Sequence, residues 1–93
     1  MSLANARQGV ADPVTVGLFG ALRAHADGAS EVRVEARTIH QLLEALAQRY
    51  PGMAPQLERG VSVSIDGRIY TESLFEKIGP QNEIVLLPRV AGG

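Results

Sequence analysis

Five short stretches of the chain alternate apolar and polar residues, or are densely apolar, as β-strands do. The second stretch shows the alternation most clearly, because Val32, Val34 and Ala36 share one face while the residues between them are charged. The fifth is almost wholly apolar, as expected for a strand at the centre of a sheet. The sequence therefore predicts a sheet of about five strands, at residues 14–19, 31–36, 61–65, 68–70 and 83–87.

One longer segment repeats its apolar residues every three or four positions, as an α-helix with one buried side does. Thr38 can accept a hydrogen bond from the backbone N–H of Gln41, whose side chain can reach back, so these residues predict a capping box. Pro51-Gly52 ends the segment. The apolar stripe consists of Ile39, Leu42, Leu43, Leu46 and Tyr50. Single helical turns are also expected, within residues 20–30, 53–59 and 71–79.

Turn residues connect the predicted strands. Asp66-Gly67 tolerates the positive φ angles of a type I′ turn, which pairs Ile65 with Arg68 in a two-residue hairpin. Pro80-Gln81-Asn82 forms a turn before the last strand. The order strand, strand, helix, strand, strand, strand predicts an α+β fold, in which a sheet packs on one main helix and leaves its other face uncovered.

The alternation also assigns side chains to the two faces of the sheet. The set expected to face the helix is Val14, Val16, Leu18, Val63, Ile65 and Leu86. Because Ile65 pairs with Arg68, Ile69 shares the outer face with Ser62 and Ser64. We call the apolar residues of that face the outer patch: Phe19, Ile69, Val85 and Leu87. Such a patch is typical of a protein-binding surface. The alternatives are that the loop after Gly20 covers this face, or that the exposed hydrophobic residues have no binding role.

Length, charge and composition narrow the class of protein. The 93 residues allow one domain, which we place at residues 13–93 after an N-terminal extension of residues 1–12. The formal charge of -1, with no basic run, makes nucleic acid an unfavoured partner. The chain has no cysteine, which excludes disulfides and thiolate chemistry. No apolar run has the length of a membrane span or a secretion signal, so we expect a cytoplasmic protein.

The last residues of the chain form a tail whose side chains shrink to none. We expect Pro88 to end the last strand because proline has no N–H to donate. Fully extended, residues 88–93 reach roughly 20 Å, and Gly92-Gly93 can pass a narrow channel that larger residues cannot. The sequence therefore predicts that this end enters the active site of another protein. The tail after Pro88 is Arg89, Val90, Ala91, Gly92 and Gly93.

Four segments resemble the MoaD/ThiS family of ubiquitin-like sulfur carriers, and the likeness covers residues 14–93. The segments are residues 16–23, Arg49-Tyr50-Pro51 at the end of the leucine-rich helix, the hairpin at residues 65–67, and residues 83–93. Within the family the likeness is greatest to MoaD, the small subunit of molybdopterin synthase. ThiS carriers usually lack so long a segment between the first and third strands. The resemblance implies a β-grasp fold.

The resemblance also implies a reaction at the C-terminal carboxylate. In the family, an ATP-dependent, E1-like MoeB partner adenylates the terminal glycine, here Gly93 beside Gly92, and a sulfur-transfer enzyme supplies the sulfur of the thiocarboxylate. The tail then enters the large subunit, MoaE, and gives its sulfur to precursor Z. The chain itself would bind no cofactor and would not be an enzyme alone. The implied partner contacts are Phe19, Ile69, Leu87, Arg89, Val90 and Ala91.

The chain departs from the family pattern in two places. It has Gln81-Asn82-Glu83 where the family often reads Gly-Asp-Glu, and Arg89 where a second proline is common. The departures leave the activating and receiving partners open. The alternatives are a carrier for thiamine or cysteine biosynthesis, a ubiquitin-like modifier joined to lysines through Gly93, and a β-grasp binding module without tail chemistry.

Other residues of catalytic type lack a suitable setting in the sequence. His25 and His40 lie far apart with no carboxylate pattern beside them. The pair Glu72 and Glu76 is expected to be solvated, and the outer-face serines lack any nucleophile motif. The sequence thus gives no reason to place an active site on the isolated chain.

Overall fold

The computed structural model describes residues 12–71 and 73–89. The N-terminal extension up to residue 11 therefore lies outside the described residues. The five strands are β1 (Pro13–Leu18), β2 (Glu31–Glu35), β3 (Val61–Ile65), β4 (Arg68–Tyr70) and β5 (Ile84–Pro88). The α-helices are α1 (Ile39–Arg49) and α2 (Ala54–Arg59), and two 3₁₀ helices occupy Gly20–Ala26 and Pro51–Met53.

The strands form one mixed sheet in the order β2-β1-β5-β3-β4, so β5 is central as predicted. β1 and β5 are parallel, whereas the other neighbouring pairs are antiparallel. β1 and β2 are consecutive in the chain and antiparallel, and residues 19–30, which include the first 3₁₀ helix, connect them. The structure thus confirms the predicted α+β arrangement of five strands and one main helix.

The core lies between the sheet and the helices. All six residues predicted to face the helix are buried, as are Val32, Val34 and Ala36 of the second predicted strand. From the helical layer, Leu42 and Leu46 are fully buried, and each such side chain stabilises the fold by about 1.5–3 kcal/mol. Among the described residues, no charged or polar residue is buried. The hydrophobic effect is therefore the main source of stability.

The first N–H groups of an α-helix have no partner in the helical ladder, and those of Ile39, His40 and Gln41 find partners outside it. Gln41 N donates to the Thr38 hydroxyl at 3.2 Å. Ile39 N and His40 N donate to carbonyl groups of the connection before β5, and Leu42 N makes the first helical bond, to the Thr38 carbonyl at 3.0 Å. The predicted cap is confirmed, except that the Gln41 side chain accepts from Arg37 N, at 2.8 Å, instead of Thr38 N.

The connection before β5 and the end of β5 both differ from the prediction. The described part of residues 71–79 contains no helix; this segment instead lies against the start of α1, where its carbonyl groups replace helical hydrogen bonds. β5 does end at Pro88, but no bond to β3 is lost there. In an antiparallel pair only every second residue exchanges hydrogen bonds with the facing strand. Glu83 and Arg89 do so with Asp66 and Gly60. Pro88 is adjacent to Arg89, so its nitrogen points away from β3 and its missing N–H removes no bond to that strand.

The Asp66-Gly67 turn is tied to the chain that precedes β5. Asp66 and Gly67 have φ angles of 51° and 86°, which confirms the predicted type I′ turn. The Asp66 carboxylate accepts from Glu83 N at 2.8 Å and from the Asn82 side chain at 2.7 Å. These two bonds, the backbone one first, lower the pKa of Asp66 from its usual 3.8. The hairpin therefore helps to fix where β5 begins.

We predict that Asp66→Asn makes the protein less sensitive to acid. Because the folded-state pKa of Asp66 is lowered, its stabilising effect is complete above about pH 4 and is lost as the pH falls through the folded value. Asparagine tolerates the positive φ of this position but does not titrate. Urea unfolding at pH 7 and pH 3 should show a smaller loss of midpoint in the variant than in the wild type. An equal loss would contradict the role assigned to this carboxylate.

Candidate functional site

The central strand delivers the tail to one place at the edge of the molecule. β5 is paired with β1 through Leu86 and with β3 through Pro88, so both neighbours direct the chain as it leaves the sheet. Arg89 is the last residue that the structure describes. The other predicted tail residues, Val90, Ala91, Gly92 and Gly93, lie outside the described residues, so their roles stay predictions.

Arg89, the first residue of the tail, forms hydrogen bonds to two other segments of the chain; we call this residue the neck of the tail. Its backbone N–H donates to the Gly60 carbonyl at 3.2 Å, and its Nη2 donates to the Thr71 carbonyl at 2.6 Å. The side chain crosses Gly60, where an added Cβ would lie 3.5 Å from Cδ, Nε and Cζ of Arg89. Gly60 also has a φ of 121°, which favours glycine. The sequence suggested Arg89 as a partner contact and gave no sign of this internal anchor.

The outer patch forms beside the neck, as the alternation predicted. Ser62 lies opposite Leu87, and Ser64 lies between Val85 on one neighbouring strand and Ile69 on the other. Ile69 is 57% exposed, and Val85 and Leu87 are half-buried. The serine side chains are shorter than the neighbouring apolar side chains, so they do not cover them, and a partner can contact the apolar groups. The predicted placement of these residues is confirmed, while their role in binding remains a prediction.

Phe19 extends the patch from the end of β1 and is 49% exposed. Arg23, one turn further along the 3₁₀ helix, holds its guanidinium carbon 5.6 Å from the centre of the Phe19 ring. The same side chain donates from Nε to the Leu18 carbonyl at 2.7 Å. Arg23 beside Phe19 and Arg89 after Leu87 and Pro88 therefore give this apolar surface basic neighbours, which favour a partner with acidic groups at its rim.

The remaining candidate residues do not assemble into a catalytic centre in the described part of the chain. His40 lies 3.5 Å from Glu44 on an exposed face of α1. His25 belongs to the first 3₁₀ helix, and Glu72 lies outside the described residues. Within residues 12–71 and 73–89, no three His, Asp or Glu side chains are placed to hold a metal ion. None of the described helices is long and apolar enough to cross a membrane.

A mixed five-stranded sheet on one main helix, with its last strand central and its exit beside an apolar face, defines a β-grasp, ubiquitin-like protein. The sequence model of the ThiS family matches residues 16–93. The chain therefore belongs to the ThiS family, among the MoaD/ThiS-like ubiquitin-like sulfur carriers that the sequence motifs resemble.

Solved structures share this fold over nearly the whole domain. Small archaeal modifier protein 1 from Methanosarcina acetivorans is 26% identical, with a TM-score of 0.73 over 90% of this chain and 98% of that one. A chain of the Amycolatopsis orientalis BexX/CysO complex is 23% identical, with a TM-score of 0.67 over 86% and 99%. A putative molybdopterin converting factor, subunit 1, from Pyrococcus furiosus is 22% identical, with a TM-score of 0.69 over 86% and 100%. No curated protein sequence matches the chain significantly.

We predict that Arg89→Ala loosens the neck of the tail without unfolding the domain. The substitution removes the bond to the Thr71 carbonyl and the packing over Gly60, both at the surface, so the melting temperature should fall by only a few degrees. The ¹⁵N heteronuclear NOE of the residue 89 amide should decrease. Arg59→Ala, which removes an exposed arginine bonded only to Gln56 on its own helix, is the matched control. An unchanged NOE at residue 89 would contradict the anchor.

Proposed function

We propose that the chain is a sulfur carrier whose Gly93 carboxylate is adenylated and then converted to a thiocarboxylate. We further propose that it donates this sulfur to precursor Z as the small subunit of molybdopterin synthase. The observation that carries the proposal is the placement of the central strand: β5 leaves the sheet beside the outer patch and continues into a tail that ends in Gly92-Gly93. Membership of the ThiS family supports it.

The chemistry explains why such a tail requires an activating partner. A terminal carboxyl group has a pKa near 3.5, so it is ionised at neutral pH and resists attack by nucleophiles. Attack of the Gly93 carboxylate on the α-phosphorus of ATP releases pyrophosphate and forms an acyl-adenylate. Hydrosulfide, or a donor that delivers sulfur at the same oxidation level, then attacks the acyl carbon and releases AMP, which carries away one of the carboxylate oxygens, so that sulfur takes its place. ATP belongs to the activating enzyme, and the carrier supplies only the acyl group.

Each part of the surface has a defined task in this proposal. Phe19, Ile69 and Leu87 bury apolar area against an E1-like adenylyltransferase of the MoeB type and, later, against a MoaE-like large subunit. Val90 and Ala91 follow Arg89 into the partner's channel, where their small side chains fit. Because Arg89 is already bonded to Gly60 and Thr71, the first residue of the tail is ordered before binding, which lowers the entropy lost on insertion. The active site for sulfur insertion lies mainly on the large subunit.

Two related functions use the same tail. The 26% identity to a protein described as a small archaeal modifier favours conjugation to lysine as a second candidate. The likeness to a chain of the BexX/CysO complex keeps a carrier for another sulfur-requiring pathway, such as cysteine or thiamine biosynthesis, as an alternative receiver of the sulfur. All of these functions require a free Gly93 carboxylate, and they differ in the partner that accepts the activated acyl group or its sulfur.

We predict that an E1-like enzyme, ATP and a sulfur donor raise the intact mass by the difference between one sulfur and one oxygen. Mass spectrometry of the whole protein, before and after the reaction, measures this gain and also establishes that Gly93 carries the free carboxylate. A variant without Gly92-Gly93 is the control and should not react. Isopeptide adducts on lysine would favour the modifier function, and an unchanged wild-type mass would disprove the carrier function.

We predict that Phe19→Asp weakens binding to the large subunit at least about tenfold, because a charge replaces an exposed aromatic contact in the outer patch. The fold should persist, since Phe19 is half-exposed. Thr15→Asp is the matched control, because Thr15 is an exposed residue of β1, the strand that Phe19 follows, and lies outside the patch. Calorimetric titration against a MoaE-like subunit measures the change. Equal affinity of the two variants would remove Phe19 from the interface.

A further inference from the structure

The exposed large hydrophobic residues of the described chain fall into two pairs on opposite sides of the sheet. Phe19 and Ile69 belong to the outer patch, whereas Leu74 and Phe75 lie on the helical side, beside the start of α1. Phe75 is 80% exposed, more than any other large hydrophobic residue described. The proposed sulfur chemistry uses the outer patch and the tail, so it does not explain this second pair.

The backbone holds Phe75 in its exposed position. On one side, the Leu74 carbonyl accepts from His40 N at 2.7 Å; on the other, the Glu76 carbonyl accepts from Ile39 N at 3.1 Å. The Phe75 ring is exposed to solvent, and its centre lies 6.1 Å from the centre of the His40 ring. The carbonyl groups on either side of Phe75 thus accept hydrogen bonds from the start of α1, whereas the Phe75 side chain does not pack in the hydrophobic core. A fixed and solvated aromatic ring is a suitable anchor for a partner.

An apolar groove of about 320 Å³ lies next to this segment, between the two α-helices. Its floor is built from small and branched apolar side chains, and Leu74 forms one wall. The apolar lining consists of Leu43, Ala47, Ala54, Leu57 and Leu74. The groove is therefore large enough for apolar side chains from another protein. Phe75 does not line it but lies beside it, since it follows Leu74 in the chain and its ring is near that of His40.

The groove is bordered by negative charge. Glu44 and Glu58 line it from α1 and α2, and both are exposed. His40 also borders the groove and lies 3.5 Å from Glu44. Acidic groups around an apolar floor favour a partner that presents Lys or Arg beside its apolar residues.

The elements around the groove also decide the kind of partner. The groove lies between two α-helices, and the first N–H groups of α1 already donate to the connection before β5. An extended peptide would therefore gain no strand pairing here. A helix satisfies its own backbone and needs only side-chain contacts. We propose that the helix-side groove, with Phe75, binds an amphipathic helix of another protein whose apolar stripe is flanked by Lys and Arg.

This second interface does not depend on the proposed sulfur chemistry. The groove and the outer patch lie on opposite sides of the sheet, so a helix seated in the groove does not cover the outer patch. One partner can therefore hold the protein while another processes its C-terminus. The binding experiment below requires neither ATP nor sulfur, so its failure and failure of the carrier function are separate results.

The test uses NMR titration of the ¹⁵N-labelled protein with a synthetic amphipathic peptide of roughly 18 residues, with leucine on one face and lysine on the other. We expect chemical-shift changes at Leu43, Leu57 and Leu74, and affinity that falls with added salt. Phe75→Ser should weaken binding about tenfold or more. Ile69→Ser, the matched change in the outer patch, should leave this binding unchanged.

A peptide with glutamate in place of lysine tests the charge argument, and it should bind the groove at least about fivefold more weakly. The Glu44→Lys, Glu58→Lys double variant should reverse this preference. Absence of shifts around the groove, or equal binding of the two peptides there, would overturn the proposal. Concentration-dependent dimerisation in sedimentation experiments that Phe75→Ser abolishes would also overturn it, by assigning the groove to a second copy of the chain.

Discussion

The parallel pairing of the first and last strands is the constraint on which the rest of the molecule depends. It joins residues that are far apart in the sequence, with Val16 opposite Ile84 and Leu18 opposite Leu86, and it buries all four. Because β3 occupies the other edge of β5, the last strand can neither shift in register nor tilt without breaking two ladders. The exit of the tail is therefore fixed by the centre of the sheet, the best packed part of the fold.

Two connections before β5 reinforce this arrangement from its N-terminal side. The Asp66 carboxylate accepts from the Glu83 N–H at the start of the strand, and the connection that includes Leu74 satisfies donors at the start of α1. These polar contacts join residues that are far apart in the sequence, and they help to position β5. The opposite end of that strand leads to the candidate functional site. Arg89 completes the series at the far end, where its guanidinium reaches the carbonyl of Thr71.

Strand positions, side-chain faces, the type I′ turn and the cap of the main helix could be predicted from the sequence because each depends on neighbours a few residues apart. The outer patch could be placed for the same reason, since one hairpin register assigns Ile69 to a face. The contacts of Arg89 could not be predicted, because Thr71 and Gly60 are distant in sequence and meet only after β3 and β4 fold against β5. The exposed Phe75 was missed because a helical turn was expected there, whereas the helix start draws this segment into irregular hydrogen bonding.

The buried positions of the described chain are apolar. Its polar groups therefore lie on surfaces that other proteins can recognise. A sheet covered by helices on one side offers two such surfaces, one on the open face and one on the helical layer. Because they lie on opposite sides, each can bind a partner while the other is occupied. The outer patch is next to the tail and has arginines beside it, whereas the helix-side groove is bordered by glutamates. These opposite charges give the two surfaces different preferred partners, because a partner suited to one meets repulsion at the other.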